Sequence, residues 1–402
     1  MFIRRDAEKT VRELARGFPV IVINGPRQSG KTTLARAAFP KKTYVSLEDP
    51  DEQIFADTDP RAFLKRFPDG GVLDEVQRCP SLFSYLQGRV DDDNRMGLFV
   101  LTGSQQFNLI SHITQSLAGR AGIVQLLPFS TGELKSAKKL SYEIETLLIQ
   151  GMYPPVHTRD VEPRKWYANY VVTYVERDLR QLLSIKDLSV FQRFLRMCAA
   201  RTGQLLNLSA LGADCGISHN TAKAWLSVLE ASYIVFLLRP HYQNFNKRLV
   251  KMPKLYFYDA GLAAYLLGIH SSGQIAVSSM RGPLFETFIV SELMKLRLNK
   301  GLPSNLFFWR SNAGDESSAD GKTRLGKIPQ PRAHRLAAHF EGSLPELFQR
   351  LSRTTGRRQS ADAANPPPAA RPQMKGPFGR KKRLASCGSL VCQCALKPQH
   401  AW

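Results

Sequence analysis

A glycine-rich segment near the amino terminus has the residue types and spacing that bind a chain of phosphates. It matches the pattern G-x-x-x-x-G-K-[ST], with a β-rich run, residues 20–23, before it and a helix-forming run, residues 34–38, after it. Its glycines let successive backbone N–H groups converge on phosphate oxygens at a helix N-terminus, where the dipole is positive. The segment comprises Gly25, Pro26, Arg27, Gln28, Ser29, Gly30, Lys31, Thr32 and Thr33.

Lys31 and Thr32 extend this prediction from phosphate to nucleotide and metal. The Lys31 ammonium would reach the β and γ phosphates of ATP, and the Thr32 hydroxyl would hold Mg²⁺. The alternative is a chance match in a Gly/Ser turn, which is a poor explanation because both the strand and the helix flank the loop. We therefore expect ATP and Mg²⁺ as ligands.

Two acids, Asp74 and Glu75, directly follow the apolar run of residues 71–73. A Mg-ATP site requires acids at the carboxyl end of the strand beside the phosphate loop, where Asp74 would hold Mg²⁺ through its water shell. Glu75 would orient and deprotonate the attacking water. The alternative is a strand that ends in a solvated acidic turn. The phosphate loop upstream favours the functional interpretation.

Another apolar run, residues 97–101, ends in hydroxyl groups instead of acids. A polar residue at this strand end could sense the γ phosphate or the water, and Ser104, Thr102 or Gln105 would fill that role. Capping of the following helix by Ser104 is an alternative of equal weight.

The elements around these residues predict an α/β fold. Strands alternate with helices through residue 128, which is typical of a parallel sheet wound by right-handed crossovers. Ligands bind at the carboxyl ends of such strands, where the candidate site residues lie. The predicted helices are 6–16, one that begins at Asp59-Pro60, and 105–117; the predicted strands are 20–23, 43–47, 71–75, 97–104 and 123–127.

From about residue 129 the pattern becomes helical. Residues 164–178 place Trp166, Tyr170 and Tyr174 on one stripe, which indicates a helix that faces the core. A helix over 284–293 and a strand over 306–309 follow later.

Residues 205–240 predict a helix, a short turn, a second helix and a strand, the order of a winged helix-turn-helix. On that interpretation residues 218–225 would contact the major groove of DNA. The basic segment 246–251 could be a wing that touches phosphates or an ordinary solvated loop. A packing module without DNA is an alternative of equal weight. The candidate groove residues are His219, Asn220, Thr221 and Lys223.

The net charge of +22 and the pI near 9.9 favour an acidic polymer as a partner. Almost half of this excess lies in residues 311–402, however. Residues 317–402 have no sustained periodicity and are rich in Pro, Arg, Ser and Ala, so we expect a disordered basic tail. The charge of such a tail does not support nucleic-acid binding.

The chain has six cysteines with no paired framework in its body, which suits a reducing compartment. The amino terminus lacks the apolar core of a signal peptide, and the longest apolar runs are too short to span a bilayer. We therefore expect a cytoplasmic protein with no membrane contact.

The chain resembles the prokaryotic AAA+-type ATPases that carry a C-terminal domain of unknown function, the AAA_14/DUF4143 group. The resemblance covers roughly residues 1–316. It implies a P-loop NTPase core of the AAA+ kind, a helical and winged-helix region, and an incomplete α/β domain similar to restriction endonucleases. The motifs that carry it are the phosphate loop, Leu73-Asp74-Glu75-Val76-Gln77, Leu101-Thr102-Gly103-Ser104-Gln105 and Leu117-Ala118-Gly119-Arg120.

Arg120 resembles the arginine finger of AAA+ proteins, which completes the site of a neighbouring subunit. A finger supplied in trans is worth about 10³ to 10⁵ in rate, so this resemblance implies a homo-oligomer. A structural arginine at a helix C-terminus is an alternative of equal weight.

The resemblance stops after Glu316. The family continues with Glu-Val-Asp and later strands that hold an acid and a lysine, whereas here Gly314-Asp315-Glu316 runs into Ser317 and the pattern is absent. The abrupt change of composition indicates translation in another frame or divergence, so we expect no nuclease-like activity. The predicted regions are an ATPase core (1–135), a helical region (136–200), a winged helix (201–270), a truncated domain (271–316) and the tail (317–402).

Three functions are compatible with these residues. The leading hypothesis is a Mg-dependent ATPase that couples its nucleotide state to a winged helix contacting DNA or a protein. The second is a DNA-binding regulator switched by ATP with negligible hydrolysis. A small-molecule phosphotransferase is less favoured, because the chain has a helix-turn-helix unit instead of a basic lid.

Overall fold

The computed structural model describes residues 2–104, 113, 115–176, 187–240 and 252–308, which belong to one compact unit. Several predictions fall partly or wholly outside these residues. They are Gln105 and the helix over 105–117, the end of the 164–178 helix, the basic segment 246–251, the end of the 306–309 strand, and everything after it.

The strands of the first half alternate with helices, as predicted. The strands are β1 (Val20–Asn24), β2 (Thr43–Ser46), β3 (Gly71–Asp74), β4 (Phe99–Gly103) and β5 (Ala121–Gln125). The helices are α1 (Ala7–Leu14), α2 (Lys31–Ala38), α3 (Pro50–Thr58), α4 (Pro60–Lys65) and α5 (Leu82–Asp93), with a short 3₁₀ turn at Val76–Arg78.

Within the described residues these strands form one five-stranded parallel sheet in the order β2-β3-β4-β1-β5. The central strand β1 pairs with β4 on one side and β5 on the other, so Asn24 lies between Gly103 and Gln125. All five residues of β1 are buried, because both faces of a parallel sheet are covered. The predicted α/β fold with a parallel sheet and flanking helices is confirmed.

Two apolar layers hold this sheet between helices. On one face Val20 and Val22 of β1 join a cluster that includes Phe63 and Leu86 from α4 and α5. On the other face Ile21 and Ile23 pack with residues of α1 and α2, among them Val11 and Leu34. This alternation follows from the two-residue repeat of a strand.

The predicted boundaries need small corrections. β5 covers 121–125 instead of 123–127, and α1 is shorter than the predicted 6–16. α3 was not predicted, although its start carries the same signal as that of α4, an Asp whose side chain caps the helix and a Pro at the first helical position.

The second half of the described chain is mostly helical. Its elements are α6 (Thr131–Ser136), α7 (Ile144–Gln150), α8 (Pro154–Thr158), α9 (Pro163–Tyr170), a π-helical turn (Val171–Glu176), α10 (Leu188–Ala200), α11 (Leu208–Cys215), α12 (His219–Ala231), β6 (Val235–Pro240), β7 (Lys254–Phe257), α13 (Ala260–Leu266), α14 (Ser272–Val277), α15 (Arg281–Leu298) and β8 (Phe307–Phe308).

The aromatic stripe lies in the core, as predicted. The rings of Trp166 and Tyr170 stack with centroids 4.9 Å apart, and Tyr153 packs against both. All three side chains are buried. The helix itself gives way to π-helical turns at Val171.

The unit over 205–240 has the predicted order of helix, turn, helix and strand. The Asn207 and Ser218 side chains cap α11 and α12, and Gly216 with φ 72° ends α11. β6 pairs antiparallel with β7 and parallel with β8. In the described part of the chain no helix is long and apolar enough to cross a membrane.

Candidate functional site

The phosphate loop connects the end of β1 to the start of α2. Gly25 has φ 150°, and a Cβ placed there would come within 2.1 Å of the Leu126 carbonyl oxygen, so glycine is required at this close approach. Gln28 and Gly30 also have positive φ, at 63° and 91°. The loop therefore has the backbone geometry that the motif predicts.

Lys31 lies buried across this loop. Its Nζ donates to the carbonyl oxygens of Gly25 at 3.2 Å and Pro26 at 2.9 Å. Burial lowers the pKa of Lys31, and the nearby carboxylates of Glu75 and Asp74 act in the opposite direction. A phosphate would be a far stronger partner for the ammonium than these carbonyls.

Asp74 is the centre of a hydroxyl cluster at the ends of three elements. Its carboxylate accepts from Thr32 Oγ1 at 2.9 and 3.0 Å, from Tyr44 OH at 2.9 Å and from Thr102 Oγ1. Burial, followed by the Asp74 carboxylate, raises the pKa of Tyr44 to about 12, so Tyr44 stays a donor. Thr32 and Asp74 supply the hydroxyl and carboxylate oxygens that suit Mg²⁺. Sequence reasoning missed Tyr44.

Glu75 follows in a left-handed conformation with φ 53°. Its backbone N–H donates to Thr102 Oγ1 at 3.3 Å, and its Oε2 accepts from Ser104 Oγ at 2.9 Å and from Gln77 Nε2. A non-glycine residue in this region is strained and is typical of functional sites. Of the two interpretations of Ser104, the contact with Glu75 fits a role at the site. Gln77 was not singled out from the sequence.

The side chains of four other residues in and next to the loop have no described contact with Asp74 or Glu75. Arg27 lies 3.7 Å from the Glu48 carboxylate, and Thr33 is exposed on α2. The Asn24 amide and the Ser29 hydroxyl are buried, and neither has a hydrogen-bond partner among the described residues. Buried polar groups normally have partners, so these two exceptions distinguish the start of the phosphate loop; the other unpaired buried atoms among the described residues are Gln77 Oε1 and Tyr233 OH.

Arg120 lies apart from this cluster. It directly precedes β5, and its carbonyl accepts from Val20 N at 3.1 Å at the start of β1, which is the amino edge of the sheet. Its guanidinium pairs with Asp91, with Nη2 2.8 Å from Oδ2. The structure thus brings together Lys31, Thr32, Asp74, Glu75 and Ser104 but not Arg120.

Two family models match the chain. One described as "AAA domain" matches residues 17–135, and one described as "Domain of unknown function (DUF8612)" matches residues 141–273. Two relatives, "Uncharacterized protein Rv2008c" of Mycobacterium tuberculosis and "Uncharacterized protein Mb2031c" of Mycobacterium bovis, are 30% identical over 318 residues, 78% of this chain and 70% of theirs. The chain belongs to the AAA-type family of P-loop proteins.

Solved structures are also similar to the chain, at low sequence identity. The Walker-type ATPase PABY2304 of Pyrococcus abyssi has a TM-score of 0.46 and 14% identity over 66% of this chain and 96% of that one. The RuvB Holliday junction branch migration motor of Thermotoga maritima has a TM-score of 0.31 and 20% identity over 58% and 90%.

The AAA-type part of the predicted resemblance is confirmed, whereas its DUF4143 part stays a prediction. The model that matches 141–273 in this AAA-type chain is DUF8612, a different one. In that region His219, Asn220 and Lys223 are exposed at the start of α12. Exposure is compatible with a partner of any kind, so DNA contact also stays a prediction.

A buried arginine that the sequence did not reveal lies behind the phosphate loop. Arg5 donates to the Ser29 carbonyl through Nη1 at 2.6 Å and to the Leu127 carbonyl through Nη2 at 2.6 Å. Its Nε pairs with Glu133 Oε1 at 2.9 Å. Because Glu133 lies far from Arg5 in the sequence, no local pattern could have found this pair.

Proposed function

We propose that the chain binds Mg-ATP at the phosphate loop and hydrolyses it. The observation that carries this proposal is the convergence of Lys31, Thr32, Asp74 and Glu75 at the carboxyl ends of β1 and β3, next to Thr102 of β4. Ligands of parallel α/β sheets bind at this edge. The whole set lies in the part of the chain that the AAA model matches.

The binding step uses the loop and its lysine. The backbone N–H groups of residues 27–33 would donate to the phosphates at the start of α2, and Lys31 would exchange its two carbonyl partners for phosphate oxygens. Thr32 and Asp74 would hold Mg²⁺, which supplies neutralisation of the phosphate charge when bound.

The hydrolytic step assigns the attacking water to Glu75. Its carboxylate is fixed by Ser104 and Gln77, and its backbone N–H by Thr102, so its position is set before a nucleotide enters. Both side-chain contacts end on Oε2, so on this proposal Oε1 orients a water and accepts its proton. Ser104 then reports the γ phosphate to Glu75.

The remaining parts of the proposal concern coupling. On this proposal residues 1–135 form the ATPase core, 136–200 a helical region, 201–270 a winged helix that contacts DNA or a protein, and 271–316 a DUF4143-like domain. Arg120 acts in trans on the site of a second copy, after leaving Asp91. The protein is cytoplasmic on this proposal.

One observation favours the ATP-switched regulator as a second candidate. Glu75 Oε2 already accepts from both Ser104 and Gln77, and a carboxylate engaged in this way is less free to take a proton from water. On this alternative ATP binds and reorders the Glu75 contacts without turnover.

The test is steady-state ATP hydrolysis against protein concentration, with and without duplex DNA, using Glu75→Gln as the blank. Turnover per subunit that rises with concentration supports the oligomeric ATPase with Arg120 between subunits, and a further rise with DNA supports the winged-helix role. Equal turnover in Glu75→Gln and wild type contradicts the role of Glu75. ATP binding without turnover above the blank favours the regulator.

A further inference from the structure

All three nitrogens of the Arg5 guanidinium group donate hydrogen bonds inside the protein. Nη1 and Nη2 donate to the carbonyls of Ser29 and Leu127, Nε pairs with Glu133, and the group lies 4.9 Å from the ring centroid of Phe129. Its side chain is 4% exposed and that of Glu133 is fully buried. An arginine this deep, with all three nitrogens donating to fixed partners, is held in one orientation.

One of its acceptors belongs to the phosphate loop. Ser29 stands between Gln28 and Gly30, both with positive φ, directly before Lys31. The peptide bond is planar and trans, so the carbonyl of Ser29 and the N–H of Gly30 point in opposite directions. Holding the Ser29 carbonyl toward Arg5 therefore turns the Gly30 N–H away from Arg5.

Glu133 fixes the other side of the arginine. Its Oε1 also accepts from the backbone N–H of Asp6 at 2.8 Å, and its Oε2 from Ser130 N at 2.8 Å in the capping box of α6. The arginine is thus attached to the start of α6 through Glu133 and to the segment after β5 through the Leu127 carbonyl.

We propose that Arg5 is a positioning residue for nucleotide phosphates, which acts by fixing the Ser29 peptide so that the Gly30 amide faces them. This inference rests on the proposed ATP binding. A lysine at position 5 keeps the charge beside Glu133 but lacks the planar fork that reaches two carbonyls at once. The Ser29 peptide can then rotate and the Gly30 amide loses its fixed direction.

The test compares Arg5→Lys with wild type and with the matched control Arg4→Lys, whose parent side chain is 79% exposed and pairs with Glu8. Loop amides bind phosphate equally in the ground state and the transition state, so we expect a higher KM with a nearly unchanged kcat. The KM for Mg-ATP and the Kd for ATP and ADP should rise about tenfold in Arg5→Lys, the loss of one hydrogen bond to a charged group. Arg4→Lys should match wild type.

Arg5→Ala with and without guanidinium ion gives a second measurement. Guanidinium can fill the space that the side chain leaves, so it should restore the Kd for ATP, whereas methylammonium should not. A wild-type protein that binds no ATP overturns the proposed function. A wild type that binds ATP while Arg5→Lys binds it equally well, or loses kcat and stability with an unchanged KM, overturns the role of Arg5.

Discussion

Two sets of polar side chains, all buried except the half-buried Glu75, differ in how well they are paired. The loop set, at the carboxyl edge of the sheet, comprises Asn24, Ser29, Lys31, Asp74 and Glu75. The rear set, between the core and the C-terminal helices, comprises Tyr167, Asp259, Glu292 and Lys295.

In the rear set each of the four side chains has short hydrogen bonds. Asp259 accepts from Tyr167 OH at 2.6 Å, Leu262 N at 2.8 Å and Met152 N at 2.7 Å. Glu292 of α15 accepts from Thr131 N at 2.7 Å and from Lys295, which also donates to a backbone carbonyl. Such closed networks fix one arrangement of the chain.

The loop set is open by comparison. Asn24 and Ser29 have no side-chain partner among the described residues, Lys31 donates to carbonyls of its own loop, and Glu75 has a strained backbone. Proteins break local rules at functional sites and satisfy them elsewhere. This contrast indicates that the rear set maintains the fold, whereas the loop set is arranged for a ligand.

The largest effect is expected in the rear set. Lys295→Met leaves Glu292 buried without its cation, and breaking a buried ion pair costs about 3–5 kcal/mol of unfolding free energy. Unfolding by denaturant measures this loss of unfolding free energy. The affinity of the folded protein for ATP should not change. Lys165→Met is the control, because its i,i+3 pair with Glu162 is exposed. A similar loss of unfolding free energy in Lys295→Met and Lys165→Met would contradict the role of the rear set in maintaining the fold.

Lys31→Ala should weaken ATP binding without lowering the free energy of unfolding, the opposite of Lys295→Met. It removes a charged donor to phosphate, so the Kd for ATP should rise roughly 100-fold, or about 3 kcal/mol. The free energy of unfolding should not fall, because burial of the ammonium is unfavourable in the free protein. Isothermal titration with Lys9→Ala as the exposed control checks this. A large loss of stability in Lys31→Ala would show that Lys31 maintains the fold, as the rear set does.

Substitution of Glu230 on α12 shows whether a change of stability in the helical half alters the affinity for ATP. Burial raises the pKa of Glu230 to about 6, while Arg239 and the Leu237 backbone act in the opposite direction. Because the pKa of Glu230 is higher in the folded protein than in the unfolded chain, the protonated carboxyl favours folding. Its contribution to the free energy of unfolding is fully present below the pKa of the unfolded chain and is lost as the pH rises through about 6. Glu230→Gln should therefore be more stable than wild type by about 1–2 kcal/mol at neutral pH.

The difference between Glu230→Gln and wild type should vanish under acid conditions, and the Kd for ATP should be the same in both. Unfolding curves across the pH range measure it. A constant difference at every pH would rule out titration of Glu230 as the cause.

Asn24→Leu should have the smallest free-energy effect of the four variants. It replaces an unpaired buried amide by an apolar group of similar size, which should stabilise the fold by about 1 kcal/mol. If the loop set is arranged for a ligand, this gain comes with a lower rate of ATP hydrolysis. A more stable variant with unchanged hydrolysis would show that Asn24 has no part in the site.

Much of the site was predictable because its signals are local. The loop motif, the acids after β3 and the hydroxyls after β4 all lie next to strands that hydrophobic patterning reveals, and the order of the sheet places their ends together. α3 could have been found from Asp49-Pro50. The contacts of Tyr44, Gln77 and Arg5 could not, because side-chain partners depend on the packing of several elements.

The chemistry of the loop and the alternation of strands and helices follow from the amino-acid sequence, because both depend on residue types a few positions apart. The pairing of polar groups, from Arg5 with Glu133 to Arg120 with Asp91, depends on the folded structure. The physical reason is that a buried polar side chain is stabilised by whichever partner the fold brings within about 3 Å, and that partner is often far away in the chain.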